Sequence, residues 1–357
     1  MQAKKLLFED TVCYNIGKSS VSEVNKMVSS RDVARLANVS QSTVSRAYRD
    51  DVYIDPITRQ RVMDAAKQLG YYPNLSARSL RNQRSRILGL VLSDPDNTFF
   101  ASVIRQLEQH AGERGYRLVL TYTDEDPDKE RFCLETLISS RAEGVLVMPV
   151  SRANEDMYRI LQKSGIAAVQ LFRSLYDDVS SVCVNDEQGA YQAAKYLLDQ
   201  GHRRIIITEY TFNQENPAKT KGYRRACEEY GVDPEEGILS LPFENNLDGI
   251  IAGALASTGA TAIISANIPI TLATLKACKS SGLTIPDDIS IVAYDDSQWL
   301  EFQGITAITH PMQQIGDEIA QSLFREIDAY GDGTTPEREN RLIKPYLLLR
   351  NSVKKIQ

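Results

Sequence analysis

Residues 29–48 read SSRDVARLANVSQSTVSRAY, two short helical patterns separated by a tight turn. Ser29 is placed to cap the first helix, with Asp32 three residues on, an acid in the first turn where the helix dipole favours it. Val33, Leu36 and Ala37 then form one apolar face. Asn38 follows, a residue that tolerates the left-handed backbone of a turn. Ser40 caps a second helix whose Val44, Ala47 and Tyr48 share a face at i, i+3, i+4 spacing. That phase turns Gln41, Ser42, Ser45 and Arg46 outward, groups suited to base edges and phosphates in a major groove. A third helix is expected from about Thr58 to Leu69, with Val62, Ala65, Ala66 and Leu69 inward and Gly70 ending it. The pattern is a helix-turn-helix bundle.

From Ile87 the texture changes. ILGLVLS (87–93), RLVLTYT (117–123), GVLVMPV (144–150) and AAVQLF (167–172) are apolar runs separated by amphipathic helical stretches. After SSVCVN (180–185) the alternation resumes with RRIIIT (203–208), TAIISA (261–266) and ISIVAYD (289–295). Such repetition predicts α/β architecture with two doubly wound parallel sheets, and its length asks for two lobes. Ligands of such sheets sit at the carboxyl ends of the strands.

The 357 residues are 42% hydrophobic and 25% charged, the proportions of a globular protein rather than a fibrous or disordered one. No apolar run reaches the length of a membrane span, and the N-terminal 20 residues lack a signal-peptide core, so a cytoplasmic protein is expected. Five scattered cysteines form no CxxC, and His110, His202 and His310 form no metal-binding spacing. Neither a metal nor a cofactor is expected. The net charge of −6 would argue against nucleic acid, but its distribution does not. Residues 29–90 hold eleven basic against five acidic residues, a positive head, and the remainder of the chain must then carry −12. A basic head on an acidic body reads as a nucleic-acid contact surface joined to something else.

These residues resemble the LacI/GalR family of bacterial transcription regulators. The family pattern DVA-x-x-A-x-VS-x-x-TVSR is matched from Asp32 to Arg46, and RV-x-x-AA-x-x-LGY-x-PN-x-x-ARSL from Arg61 to Leu80. GHRRI (201–205), KGYRRA (221–226), GLTIPDDISIVAYDD (282–296) and ITAITHP (305–311) extend the likeness to nearly everything after residue 29. The resemblance implies a dimeric repressor on a palindromic double-stranded DNA operator, controlled by a small-molecule effector such as a sugar or sugar derivative. The implied DNA contacts are Ser29, Gln41, Ser42, Thr43, Ser45 and Arg46 on the head. On a hinge helix they are Asn74, Ala77, Arg78 and Leu80, with Leu80 wedged into the minor groove.

The body implied is a two-lobed sensor similar to periplasmic sugar-binding proteins. Asp295 matches the family's usual ligand-binding aspartate, and Asn267 the asparagine of its Asn-Asp pair, but Ile268 replaces the aspartate that follows. Lys219 stands where an arginine is usual, and Phe172 where an aspartate precedes Arg173. Phe99 and Phe100 are expected to supply a pocket wall. Losing two carboxylates and a guanidinium weakens the case for a simple neutral sugar. A less polar or phosphorylated effector using Lys219, a sugar held differently, and control by a protein partner such as a phosphorylated carrier protein all remain open.

The expected division is an extension at 1–28, with Met27 a candidate true start, and a DNA-binding domain at 29–72. A hinge at 73–85 follows, then a sensor at 86–357 with crossovers between lobes near 173–181, 295–304 and 331–341. The absence of a C-terminal leucine heptad favours a homodimer over a tetramer. An enzyme is disfavoured: no GxGxxG or GxSxG occurs, and the Gly17-Lys18-Ser19 triplet lacks the upstream glycine of a phosphate loop. A transport-type binding protein would need export and would have no use for the head.

Overall fold

The apolar run Ile87–Leu92 is buried from its second residue to its last, the mark of a strand covered on both faces. Its neighbours share that character, and together they build the sheets of the body. In the computed structural model, the described residues are 28–49, 52–72, 84–211, 217–244 and 246–356. They fall into two units, a head and a body, that divide after Arg81.

The described residues of the head form three helices: α1 (Ser30–Leu36), α2 (Gln41–Ala47) and α3 (Pro56–Leu69). The Ser29 N–H and hydroxyl both donate to the Asp32 carboxylate, at 3.0 and 2.6 Å. Asn38 adopts φ 49°, the left-handed turn anticipated for it. The third helix opens two residues before its expected start, because Asp55 accepts the Thr58 N–H and Pro56 occupies the first turn, where its missing donor matters least. Val33, Ala37, Val44, Ala47, Val62, Ala65 and Ala66 form the core. Leu36, expected inward, is 45% exposed: the helix is too short to wrap its apolar stripe that far round.

The body has two six-stranded sheets. One contains β1 (Ile87–Leu92), β2 (Arg117–Tyr122), β3 (Gly144–Val147), β4 (Ala167–Leu171), β5 (Ser180–Val184) and β11 (Asn340–Ile343), in the order β11-β5-β4-β3-β1-β2. The other contains β6 (Ile205–Tyr210), β7 (Ile238–Leu241), β8 (Ala262–Ser265), β9 (Ser290–Tyr294), β10 (Thr306–Thr309) and β12 (Tyr346–Leu348), in the order β12-β10-β9-β8-β6-β7. All pairings are parallel except β10 with β12. The first five strands of each sheet follow the same order, so the body is an internal repeat of one α/β plan. β7, β10, β11 and β12 were not among the expected strands; β10 is a four-residue strand with threonine at both ends, and the other three are short, partly exposed edge strands whose pattern does not stand out.

Among the described residues nine α-helices complete the body's layers: α4 (Phe99–Glu113), α5 (Pro127–Ser139), α6 (Glu155–Lys163), α7 (Asp186–Asp199), α8 (Ala218–Glu229), α9 (Asp248–Thr258), α10 (Ile268–Ser280), α11 (Gln298–Phe302) and α12 (Met312–Gly331). Leu88, Leu90 and Leu92 point toward α4 and α12, while Val91, Val145 and Val147 meet α5 and α6. In the second sheet Ile206, Ile263 and Ile291 face α9 and α10, and Ile205, Ile207 and Val292 face α7 and α8. The alternation is the two-residue period of a strand sandwiched between helix layers.

The chain passes between the sheets after β5, after β10 and after β11. Each crossing falls later than the expected positions near 173–181, 295–304 and 331–341. β5 pairs with β4, so it ends the first sheet, and β11 returns to that sheet beside β5. Local periodicity identifies a strand but not the sheet that claims it.

α7 and α8 pack with backbones almost touching at Gly222, where a Cβ would collide with the Glu187 carbonyl oxygen. Gly222→Ala should overpack this contact by about 1–3 kcal/mol and lower the body's unfolding temperature by roughly 3–10 °C in calorimetry. An unchanged transition would show that the two helices do not approach this closely.

Candidate functional site

Two regions collect polar side chains not needed for folding. On the head, Ser40 caps α2 by accepting the Thr43 N–H at 3.1 Å, and its hydroxyl also bonds those of Ser42 and Thr43. The cap orients the helix so that Gln41, Ser42 and Arg46 are exposed while Thr43 and Ser45 are half-buried. Gln41 donates to the Ser30 hydroxyl at 2.8 Å, which ties the start of α2 to α1. Ser29 and Thr43 have their hydroxyls engaged at helix caps, so they hold the elements in place; Arg46 projects as a cation from the exposed face. The hinge residues Asn74, Ala77, Arg78 and Leu80 lie outside the described residues.

In the body, a cavity of about 130 Å³ lies between the carboxyl ends of the two sheets. Phe99, Phe100, Phe172, Arg173, Lys219, Asn267 and Asp295, the seven residues expected there, all line it. Phe172 and Asp295 directly follow β4 and β9, which hold equivalent places in the two sheets, and both adopt positive φ, 60° and 68°. For residues other than glycine such geometry costs about 1–3 kcal/mol and persists where the surroundings over-determine it.

Aromatic packing supplies one surrounding. Phe172 stands 5.3 Å from Phe99 and 5.8 Å from Phe100, and Phe99 lies edge-on to His310 at 5.5 Å. Hydrogen bonding supplies the other. His310 Nε2 and Asp295 Oδ1 are 2.9 Å apart and buried. Arg173 forks onto Glu125 through two bonds of 2.7 and 2.6 Å. Lys219 donates to the Ala266 carbonyl at 2.9 Å, lies 4.1 Å above the Tyr294 ring, and is 3.9 Å from Asp186. Asn267 accepts the Ile270 N–H and so caps α10. Ile268, in the place of the family's aspartate, is buried.

Asp94, Glu125, Asp186, Glu209, Tyr210, Phe243 and His310 also line the cavity and were not singled out from sequence. Each lies at or just beyond a strand's carboxyl end, which is the signal that would have found them. Burial pushes the Glu209 carboxyl above the ordinary glutamate range; its Thr220 hydrogen bond and the Lys219 charge pull it back only in part. Burial also raises Asp94, a bond from the Asp96 N–H opposes this, and the charges of Asp96, Glu125 and Asp124 raise it further. The Tyr210 hydroxyl is pushed up to about 12 by burial despite a hydrogen bond with Asn267.

Comparison with known proteins agrees with this division. Residues 30–74 match the model of bacterial regulatory proteins of the lacI family, and residues 194–353 a periplasmic binding protein-like domain. The HTH-type transcriptional repressor PurR of Vibrio vulnificus is 31% identical over 340 residues, 92% of this chain and 100% of the relative. Among solved structures, a complex of the transcriptional regulator CelR with cellobiose superposes with a TM-score of 0.65 at 26% identity, over 91% of this chain and 99% of that one. The Lac repressor dimer bound to operator shares the fold, with a TM-score of 0.73 at 21% identity over 92% and 100% of the two chains.

Because its folded pKa is raised, ionised Glu209 opposes folding once pH rises above the unfolded value. Glu209→Gln removes that opposition. The variant should gain in urea midpoint over the parent at pH 7, and the gain should vanish as pH falls to about 4, where both carry a neutral group. A gain independent of pH would trace the effect to packing instead.

Proposed function

The chain belongs to the LacI family of bacterial regulatory proteins and is a DNA-binding transcription regulator; we propose that it is a cytoplasmic homodimeric repressor without catalytic activity, reading a palindromic operator with α2 and sensing a small molecule in the cleft of the body. The observation that carries this reading is the union, in one chain, of a helix that exposes Gln41, Ser42 and Arg46 with a cavity built from the carboxyl ends of two sheets. Among the described residues no helix is long and apolar enough to cross a membrane.

In this reading Gln41, Ser42 and Arg46 meet base edges, and Ser29, Thr43 and Ser45 set the helix against the phosphates. Asn74, Ala77, Arg78 and Leu80 take the minor groove at the centre of the site. The effector favours one arrangement of the two lobes by making contacts there that it lacks in the other, and its control over DNA equals that difference in affinity. A phosphorylated effector is disfavoured, because Arg173 and Lys219, the cavity's arginine and lysine, already have carboxylate or carbonyl partners.

Selection of bound duplexes from a random DNA pool by the purified full-length protein should enrich a palindrome with closely abutting half-sites. Against that sequence, Arg46→Ala should lose about tenfold or more of its preference over random DNA, the value of one base contact. An unchanged preference with uniformly weaker binding would make Arg46 a phosphate contact and move recognition elsewhere.

A further inference from the structure

The groups in the cleft that still lack a cationic or donor partner are acceptors. Arg173 is held by Glu125, and Lys219 by the Ala266 carbonyl and Asp186. Among the described residues Asp94 accepts a backbone N–H from Asp96 at 2.8 Å and buried Glu209 a hydrogen bond from Thr220, both neutral donors; neither forms an ion pair. His310 shares Nε2 with Asp295, and its Nδ1, on a side chain 2% exposed, has no hydrogen-bond partner among the described residues. When Nε2 carries the proton toward the carboxylate, Nδ1 is a lone pair awaiting a donor. The remaining walls are the rings of Phe99, Phe100, Phe172 and Tyr210, whose faces are electron-rich.

The charge imbalance continues outward. A second cavity of about 630 Å³ adjoins the first and shares Asp94, Tyr210 and Phe243 with it. Its further acids are Asp96, Asp124, Glu244 and Asp248, against Lys276 alone as a cation, and Trp299 stands in its wall. The passage from inner to outer cavity therefore runs along carboxylates and aromatic rings. An anion would enter against that field, and a neutral polyol would leave Asp94 without an opposite charge and Glu209 only partly offset by Lys219. Among the described residues no group of three or more His, Cys, Asp or Glu is disposed to hold a metal ion, and the aromatic walls suit an organic cation.

We infer that the effector is an organic cation, its protonated amine held by Asp94 and Glu209 against the aromatic wall and its remainder extending past Tyr210 and Phe243 into the outer cavity. The inference rests on the cleft being the effector site. An ammonium in this place supplies the charge that two carboxylates bonded to neutral donors lack, a donor for the ring nitrogen and a cation for the π faces. It also accounts for Phe172 in the position of the family's aspartate, since a ring face holds a cation without adding a further buried carboxylate.

The test is calorimetric titration of the full-length protein with matched probes: glucosamine against glucose, and putrescine against 1,4-butanediol, with glucose 6-phosphate as the anion. At least one amine should bind, its neutral counterpart about tenfold or more weaker, with affinity falling as salt rises. Asp94→Asn and Glu209→Gln should each weaken the amine by about tenfold, the loss of one charge-assisted contact. Failure of both amines to bind, or equal binding of the neutral or anionic probes, overturns the inference. If a neutral or anionic probe binds and Phe172→Ala abolishes it, the cleft stands as the effector site and only the cation is wrong. If an amine binds equally to Phe172→Ala, Asp94→Asn and Glu209→Gln, the cleft itself is the wrong site.

Discussion

A parallel sheet buried on both faces offers ligands only the carboxyl ends of its strands, and this constraint organises the body. Two sheets of the same strand order turn those ends toward one cavity. Most of the residues named in that cavity follow from it: Asp94 beyond β1, Glu125 beyond β2, Phe172 and Arg173 beyond β4, Asp186 beyond β5, Glu209 and Tyr210 at the end of β6, Phe243 beyond β7, Asn267 beyond β8, Asp295 beyond β9 and His310 beyond β10. Phe99, Phe100 and Lys219 come instead from the first turns of α4 and α8. Because the chain passes between the sheets three times, a change in the cleft bears on three strands of backbone at once. That is the physical basis for coupling a bound molecule to the relation between the lobes.

The chemistry of the cleft is one of commitment. Its arginine is forked onto Glu125, its lysine onto a carbonyl and a ring, its histidine onto Asp295. Such pairs, formed where water is scarce, hold their geometry tightly, and removing one partner leaves a buried charge that costs about 3–5 kcal/mol. The groups left over are the ones that define what can enter, and here they are carboxylates, a ring nitrogen and aromatic faces. The left-handed backbone at Phe172 and Asp295 places two of the wall's side chains by strain that the packed rings and the His310 bond sustain.

Much of this was legible in the sequence because it rests on local chemistry. Ser40 as a cap, Asn38 at positive φ, Gly70 at a helix end and the inward positions of α2 and α3 are each decided within a few residues. Most of the central strands were legible for a related reason, that a strand covered on both faces is apolar throughout; β10, Thr306–Thr309, was missed because threonines stand at both of its ends. The edge strands β7, β11 and β12 carry no such requirement, and Leu36 shows that a helical stripe does not say how far a core reaches.

The sequence by itself determined the helix-turn-helix, the α/β alternation, the family and seven of the cavity's lining residues, since motif and period are properties of neighbours along the chain. Only the tertiary structure decided where the chain changes sheets and which charges in the cleft are already answered. Pairs such as Arg173 with Glu125, 48 residues apart, are set by strand order and not by spacing, so the same side chains could have been free or engaged. That difference is what turns Lys219 from a ligand-seeking cation into a partner of the Ala266 carbonyl, and leaves Asp94 and Glu209 outside any ion pair among the described residues.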